Sequence, residues 1–402
     1  MRRKPKNIAL FGNFGSGNLG NEASLKAMLD LIRQERPNSL VTCICYGPEA
    51  AQAEHDVATV PLKLVLSKRP WLAKLNRLFF RIPLLLVDVI RTFFLARSFD
   101  VFIVPGTGIL DDFGERWQAM PYDLLKWSLA AKIWRRPFAL VSVGAGPIFH
   151  PISRWCLVSA ARMACYRSYR DAASKEYMQT VGLSAQDDPV FPDLAFRLPV
   201  PRRPLSELSG ELPTIGVGIM NYHGWDLASA RRAEIHEIYV AELTKFVCWL
   251  IAQGYRVRLL IGALSDQLTV NDISQRIAMQ FGLGATPQFI AEPTHSLLEL
   301  MQQICETQLI VATRFHNIVA ALSAGRPAIS IGYAKKNDAL LEQVGLGAFC
   351  QPVEELDLSR LIADFQSLVD TLDPLTGQVH RGVEQLRGRL RDQDAYVLDK
   401  LV

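Results

Sequence analysis

"TQLIVATRFHNIVAALSAGRPAISIGYAKKN" occupies residues 307–337, and its reading decides the fold. The aliphatic, β-branched run ending at Thr313 is too short for a helix and reads as a buried strand. Arg314-Phe315-His316 then turns the chain into a small-residue helix that Gly325 ends. "PAISIGY" (327–333) is a second buried strand. A strand, a helix and a strand at this spacing make a parallel pair joined by a right-handed crossover. The charges sit at the carboxyl ends of the strands: Arg314 and His316 after the first, Lys335 and Lys336 after the second. Ligands of α/β sheets bind at those ends. A guanidinium suits planar, bidentate contact with carboxylate or phosphate. An imidazole beside it can trade a proton near neutral pH. A capped helix with solvated charges is the plainer reading; the pairing of Arg314 with His316 favours an anion site.

Working outward, the same alternation fills most of the chain. "NIALFG" (7–12), a helix from about Leu19 to Arg36, "LVTCICYG" (40–47), "DVFIVPGTG" (100–108), a helix near 121–134 and "PFALVSVGAG" (137–146) form one series. "TIGVGIM" (214–220) starts a second, continuing through "YRVRLLIGA" (255–263) and "QFIA" (288–291) into the opening stretch. Between them, "RLPVPRRPLSELSGELP" (197–213) is proline-rich and polar with no period, so it reads as a linker. We therefore expect two α/β domains with parallel sheets, residues 1–200 and 201–402, facing across a ligand cleft. The last 50 residues read as helices able to pack back across the first domain.

At 402 residues two domains are natural, and 49% hydrophobic with 21% charged residues excludes a disordered chain. A net charge of +4 falls short of a nucleic-acid-binding signature but leaves room for anionic ligands. The seven cysteines form no CxxC pair, and Cys43 and Cys45 read as core residues. That usage suits a reducing cytoplasm. The basic start "MRRKPK" leads directly into a strand and not into a long apolar stretch, so no export is expected and the location is cytoplasmic. Segment 68–100 is the most apolar part, but Arg77, Arg81, Asp88, Arg91 and Arg97 interrupt it. It is too broken to span a bilayer. Two readings stay open: a helix buried against the sheet, or an interfacial helix making peripheral membrane contact on the inner face of the membrane.

Further motifs fall at strand ends. "FGNFGSGNLGNEASL" (11–25) carries Gly12, Gly15, Gly17 and Gly20 before a helix. It has no Gly-Lys-Ser/Thr and no GxGxxG spacing, so neither a Walker loop nor a dinucleotide fingerprint fits. Asn18, Gly20, Asn21 and Glu22 are placed to hold a polar ligand or its hydroxyls, and a tight ligand-free turn is the alternative. Gly106 and Gly108 in "VPGTGILDD" imply close backbone approach, with Asp111 or Asp112 either orienting a hydroxyl or solvated. His150 reads as structural. Asp171 reads as a helix N-cap, which puts Arg170 on the preceding loop, free to point into the cleft. No metal-ligand cluster is visible.

Together, "FGNFGSGNLGNEASL", "SVGAGPI", "YRDAASKEYMQTVGL", "PDLAF" (192–196) and "TRFHNIVAALSAGRPAISIGYAKKN" resemble the polysaccharide pyruvyl transferase family in order and spacing. The Arg-x-His helix followed by Tyr-x-x-Lys is the most specific element. The resemblance implies two Rossmann-like domains in a glycosyltransferase-B-like arrangement. It implies phosphoenolpyruvate as donor, with no other cofactor, and a free or lipid-linked saccharide as acceptor. The product would be a pyruvate ketal on a surface polysaccharide or its precursor. Arg314 and His316 would then meet the donor's anionic groups, with Arg170 helping from the facing domain, and Lys336 takes the lysine of the Tyr-x-x-Lys element. His316 is the candidate general acid. Two departures fall on the expected acceptor side: Asn21, where the family has an acidic residue, and Pro105-Gly106-Thr107-Gly108, where it has a glycine triplet. A nucleotide-sugar glycosyltransferase of the same architecture, with Glu342 holding ribose hydroxyls, is the alternative, as is a non-catalytic part of a polysaccharide assembly complex.

Overall fold

The computed structural model describes residues 6–64, 82–113, 116–201, 203, 207, 212–225, 229–282 and 288–402. The chain forms two compact units. Unit 1 comprises residues 1–16, 24–194 and 391–402; unit 2 comprises 17–23 and 195–390. The expected boundary at residue 200 thus lies at Leu194/Ala195, and two short pieces change sides.

Unit 1 is a six-stranded parallel sheet of β1 (Asn7–Phe11), β2 (Leu40–Cys45), β3 (Ala58–Pro61), β4 (Val101–Pro105), β5 (Phe138–Val143) and β6 (Tyr166–Tyr169). Their order is β3-β2-β1-β4-β5-β6. In β4 and β5 every residue is buried, which is why these strands read as unbroken apolar runs without alternation. Between strands run α1 (Leu19–Glu35), α2 (Pro48–His55), α3 (Ile82–Ala96), α4 (Met120–Ile133) and α5 (Pro151–Met163), and α6 (Ala172–Thr180) follows β6. Trp127 of α4 packs onto Phe11 at 6.4 Å and Phe102 at 6.1 Å, and Phe102 stacks on Phe138 at 6.1 Å. The α2–β3 pair was not legible: eight helical residues and a four-residue edge strand ending in Pro61 are too short for periodicity to show.

Unit 2 repeats the plan with β7 (Thr214–Ile219), β8 (Arg256–Ile261), β9 (Phe289–Ile290), β10 (Leu309–Ala312), β11 (Ala328–Gly332) and β12 (Cys350–Pro352) in the order β12-β11-β10-β7-β8-β9, all parallel. Its helices are α7 (Arg232–Ala252), α8 (Gln267–Phe281), α9 (Leu297–Cys305), α10 (Phe315–Ser323), α11 (Lys335–Gln343), α12 (Leu358–Asp370) and α13 (Leu372–Tyr396). Ser296 and Asp357 cap α9 and α12 by accepting backbone N–H bonds. Strand order reverses between β1 and β4 in unit 1 and between β7 and β10 in unit 2, the two crevices where such sheets take ligands.

The last twelve residues belong to unit 1. Gln393 donates to Ser168 Oγ at 2.7 Å and accepts from Ser142 Oγ at 2.9 Å, while Tyr396 stacks on Tyr166 at 4.7 Å. Of segment 68–100, residues 68–81 lie outside the described residues, as does much of the 197–213 linker. Among the described residues, no helix is long and apolar enough to cross a membrane.

Candidate functional site

The carboxyl ends of β7, β8 and β10 in unit 2 converge on one carboxylate, Asp266, which is fully buried. Its oxygens accept from the backbone N–H of Gly262 (3.1 Å), Ala263 (2.9 Å) and Asn221 (2.9 Å). The Arg314 guanidinium completes the set, Nε donating at 2.9 Å and Nη2 at 2.5 Å. Burial opposes the charge on Arg314, but the Asp266 carboxylate outweighs it and holds the guanidinium above its usual pKa. Arg314 is also the extended residue preceding α10, at the crevice where strand order reverses. Its Nη1 makes no hydrogen bond to the described residues, so one edge of the fork is unspent. Arg314 is therefore anchor and candidate ligand group at once, a double duty invisible in the sequence because Asp266 lies 48 residues away.

Lys336 stands in the first turn of α11, its Nζ 4.4 Å above the Tyr333 ring and 5.7 Å from that of Phe315. Among the described residues no carboxylate pairs with it, and the ring faces hold the ammonium at the helix N-terminus. Tyr333 lies beside Tyr222 at 6.5 Å and Trp225 at 6.1 Å, so an aromatic wall from the β7 and β11 loops borders the cation.

His316 sits in the first turn of α10, its ring edge-on to Phe315 at 5.2 Å. Phe315 is buried and the imidazole is half-buried. The glycine-rich stretch meets it. Gly17 and Asn18 pair with Ala263 and Leu264 in a short antiparallel bridge, Leu19 N–H donating to Gly262 O and Leu264 N–H to Gly17 O. Asn18 Oδ1 accepts from the N–H of Gly20 (3.1 Å) and Asn21 (3.3 Å), which caps α1. This places Gly20 so close to the imidazole that a Cβ there would lie 1.9 Å from His316 Nδ1. Asn18, Gly20 and His316, separated by almost 300 residues, thus belong to one cluster in unit 2. Glu22 is buried one turn further along α1.

The remaining expected residues lie in unit 1. Arg170 is buried, with Nη1 3.2 Å from Asp193 and Nε 3.8 Å from Asp171. A Cβ on Gly144 would meet its guanidinium at 2.5 Å and one on Gly108 at 3.4 Å. It lies on the loop before α6 as an internal brace of the β4 and β5 loops, with two carboxylates flanking it. Asp171 does cap α6, accepting from Ser174 N–H at 2.6 Å. Gly106 has φ +59° and packs against Ser24, so its role is local turn geometry.

Sequence reasoning missed Asp266, the Asn221–Trp225 loop and Asn317. Asn317 is fully buried against Gly218 and Gly262, and its amide has no hydrogen-bond partner among the described residues. A buried unpaired amide beside a ligand crevice calls for water or ligand. The sequence did carry a signal, since "MNYHGW" follows β7 just as "TRFHN" follows β10. A separate cavity of about 670 Å3 in unit 2 is lined by Arg197, Arg203, Arg326, His380 and Arg387. It lies at the opposite strand ends, by the C-terminus of α10, and Arg326 and Arg387 spend N–H groups on backbone carbonyls.

The polysaccharide pyruvyl transferase family model matches residues 18–335. The chain belongs to that family. No curated protein sequence matches it significantly. Among solved structures, it is similar to a putative UDP-N-acetylglucosamine 2-epimerase from Listeria monocytogenes, with a TM-score of 0.59, 11% identity and 94% of this chain covering 91% of that one. A glycosyltransferase from Rickettsia africae gives 0.56 at 12% identity, covering 99% and 100%. A lipopolysaccharide outer core galactosyltransferase gives 0.52 at 12%, covering 96% and 99%. These likenesses establish the glycosyltransferase-B type of fold.

Proposed function

We propose that the protein transfers a pyruvyl group from phosphoenolpyruvate to a sugar hydroxyl pair, forming a pyruvate ketal. The single observation that carries the reading is the cationic cluster at the β7/β10 crevice: Arg314 fixed by Asp266, with Lys336 at the neighbouring helix N-terminus and His316 beside them. The donor bears a carboxylate and a phosphate, which a guanidinium edge, an ammonium and two helix N-termini match in charge. In the reaction, His316 delivers a proton to the methylene carbon while an acceptor hydroxyl bonds to C2 and its proton replaces the one His316 gave. Phosphate then leaves with the C2–O pair, and a second hydroxyl closes the ketal, its proton leaving with phosphate. Family membership supports a saccharide acceptor, whether free or lipid-linked. The reading places the work on the cytoplasmic side, where phosphoenolpyruvate is made.

The alternative, a nucleotide-sugar enzyme, is supported by the fold likeness alone. Its sequence candidate, Glu342, is seven residues beyond Lys335, about 10 Å along α11 and away from the crevice end. The test is phosphate release and ketal formation with saccharide acceptors in heavy water, with deuterium expected in the pyruvyl methyl group. His316→Gln should keep donor binding and lose turnover by about 10²–10⁴-fold. Near wild-type turnover would remove His316 as the acid. Binding of a nucleotide sugar but not of phosphoenolpyruvate would overturn the reading.

A further inference from the structure

Helix α3 is inside out. Its buried stripe is Asp88, Thr92 and Ala96, at 5%, 0% and 0% exposure, whereas Leu85, Leu86, Val87, Val89, Ile90 and Phe94 face outward. Phe94 is 63% exposed and Ile90 55%. The buried polar groups are held from inside: Asp88 accepts from Lys126 Nζ at 2.5 Å, from the Leu64 N–H at 2.8 Å and from Arg91 at 3.5 Å. A water-facing helix places its apolar stripe the other way.

The reversal is not confined to α3. The crossovers β3→β4, β4→β5 and β5→β6 all run in one direction across the sheet, so right-handedness puts α3, α4 and α5 on the same face. α3 packs on α4 and α4 on α5. α4 exposes Leu129 and Ile133, and the turn before α5 and its first residues expose Phe149, Ile152 and Trp155. Eleven of the twenty large hydrophobic side chains exposed among the described residues lie on these three helices and the turn before α5. Exposed charges on the helices and their trailing turns are all basic: Arg97, Lys132, Arg135, Arg154 and Arg162. The two acids within the helices, Asp88 and Asp123, are buried, and Asp100 beyond α3 pairs with Arg136. Arg97 lies over the Trp134 ring at 5.3 Å, and that indole packs against Phe93, tilted, at 4.9 Å.

We propose that the α3–α4–α5 face docks on the surface of an anionic bilayer. Apolar side chains would enter the headgroup boundary while the arginines and lysine meet lipid phosphates. The single-sign basic rim matches the negative potential of an anionic leaflet, and the aromatic side chains suit its wet–apolar boundary. The inference does not rest on the proposed reaction, because it concerns a surface of unit 1 and needs neither donor nor acceptor.

The experiment is co-sedimentation of the full chain with phosphatidylcholine vesicles containing either no anionic lipid or 30% phosphatidylglycerol, about a physiological anionic fraction, from low to high salt. Binding is expected on the anionic vesicles and should weaken as salt shortens the Debye length. Ile90→Glu/Phe94→Glu should lower partitioning at least about tenfold with an unchanged melting curve, since both side chains stand in solvent. Lys132→Glu/Arg135→Glu should reduce the anionic preference while sparing the fold. Equal binding to both vesicle types, or no binding to either, overturns the proposal. So does a wild-type dimer in solution that Ile90→Glu/Phe94→Glu converts to monomer, which would assign the face to a second copy of the chain.

Discussion

At the scale of single residues, Gly20 is the sharpest test of the site. An alanine in a helix normally gains about 0.5–1 kcal/mol over glycine. Here the methyl would collide with His316 Nδ1, so the imidazole must move. Gly20→Ala should fold normally yet lose turnover on the order of 10²-fold, the cost of about 1 Å of misplacement. Ketal-forming assays alongside thermal melts will check it, and full activity would detach the glycine-rich stretch from the chemistry. A second residue-scale prediction concerns pH. His223 stacks on His236 at 4.1 Å, and burial, then the neighbouring imidazole, holds its pKa below the usual 6.5. The unfolded chain therefore binds this proton before the folded one, and stability falls as pH drops below 6.5 towards the folded value. His223→Gln should flatten that acid limb of the melting-temperature profile and leave the profile above pH 7, about half a unit beyond the ordinary histidine range, unchanged. Arg314 teaches a related point: its guanidinium is half spent on Asp266, so replacing it disturbs the crevice as well as any ligand.

At the scale of elements, the turn after β4 stores strain. Gly106 and Thr107 both adopt left-handed backbone, at φ +59° and +70°. For a β-branched residue this costs about 1–2 kcal/mol. The Thr107 hydroxyl is also buried with no hydrogen-bond partner among the described residues. Glycine relieves both but adds unfolded-chain entropy, about 0.5–1 kcal/mol in the other direction. Thr107→Gly should thus stabilise unit 1 by roughly 0.5–1 kcal/mol, readable as a higher denaturant midpoint at unchanged slope. A lower midpoint would show that the threonine makes a compensating contact. Elements long enough to show a period were legible in the sequence: α1 and α4 fall within about a residue of their expected bounds. The short α2, β3, α11 and β12 were not: they show no usable periodicity, and no flanking motif marks them as Arg314-Phe315-His316 and Gly325 mark α10.

At the scale of the whole molecule, the C-terminal residues carry a prediction of their own. Val397, Leu398 and Leu401 are buried in unit 1, and Lys6 donates to Leu401 O at 2.8 Å. Ending the chain at Leu390 removes those three side chains and leaves Ser142 and Ser168 without Gln393. At about 1.5–3 kcal/mol per buried aliphatic side chain, unit 1 should lose on the order of 5 kcal/mol. Calorimetry should then show unit 1 melting well before unit 2; a single unshifted transition would refute the role given to these residues. The sequence by itself determined two wound α/β halves, the strand ends that carry chemistry and the cationic Arg314–His316 pair, because burial on both faces and turn chemistry are written in local residue order. Only the tertiary structure decided that Asp266 grips Arg314, that Gly20 lies against His316, that Arg170 is braced inside unit 1 and that α3 turns its apolar side outward. Each of these depends on residues tens to hundreds of positions apart, whose pairing is set by sheet order and packing, and no local period records it.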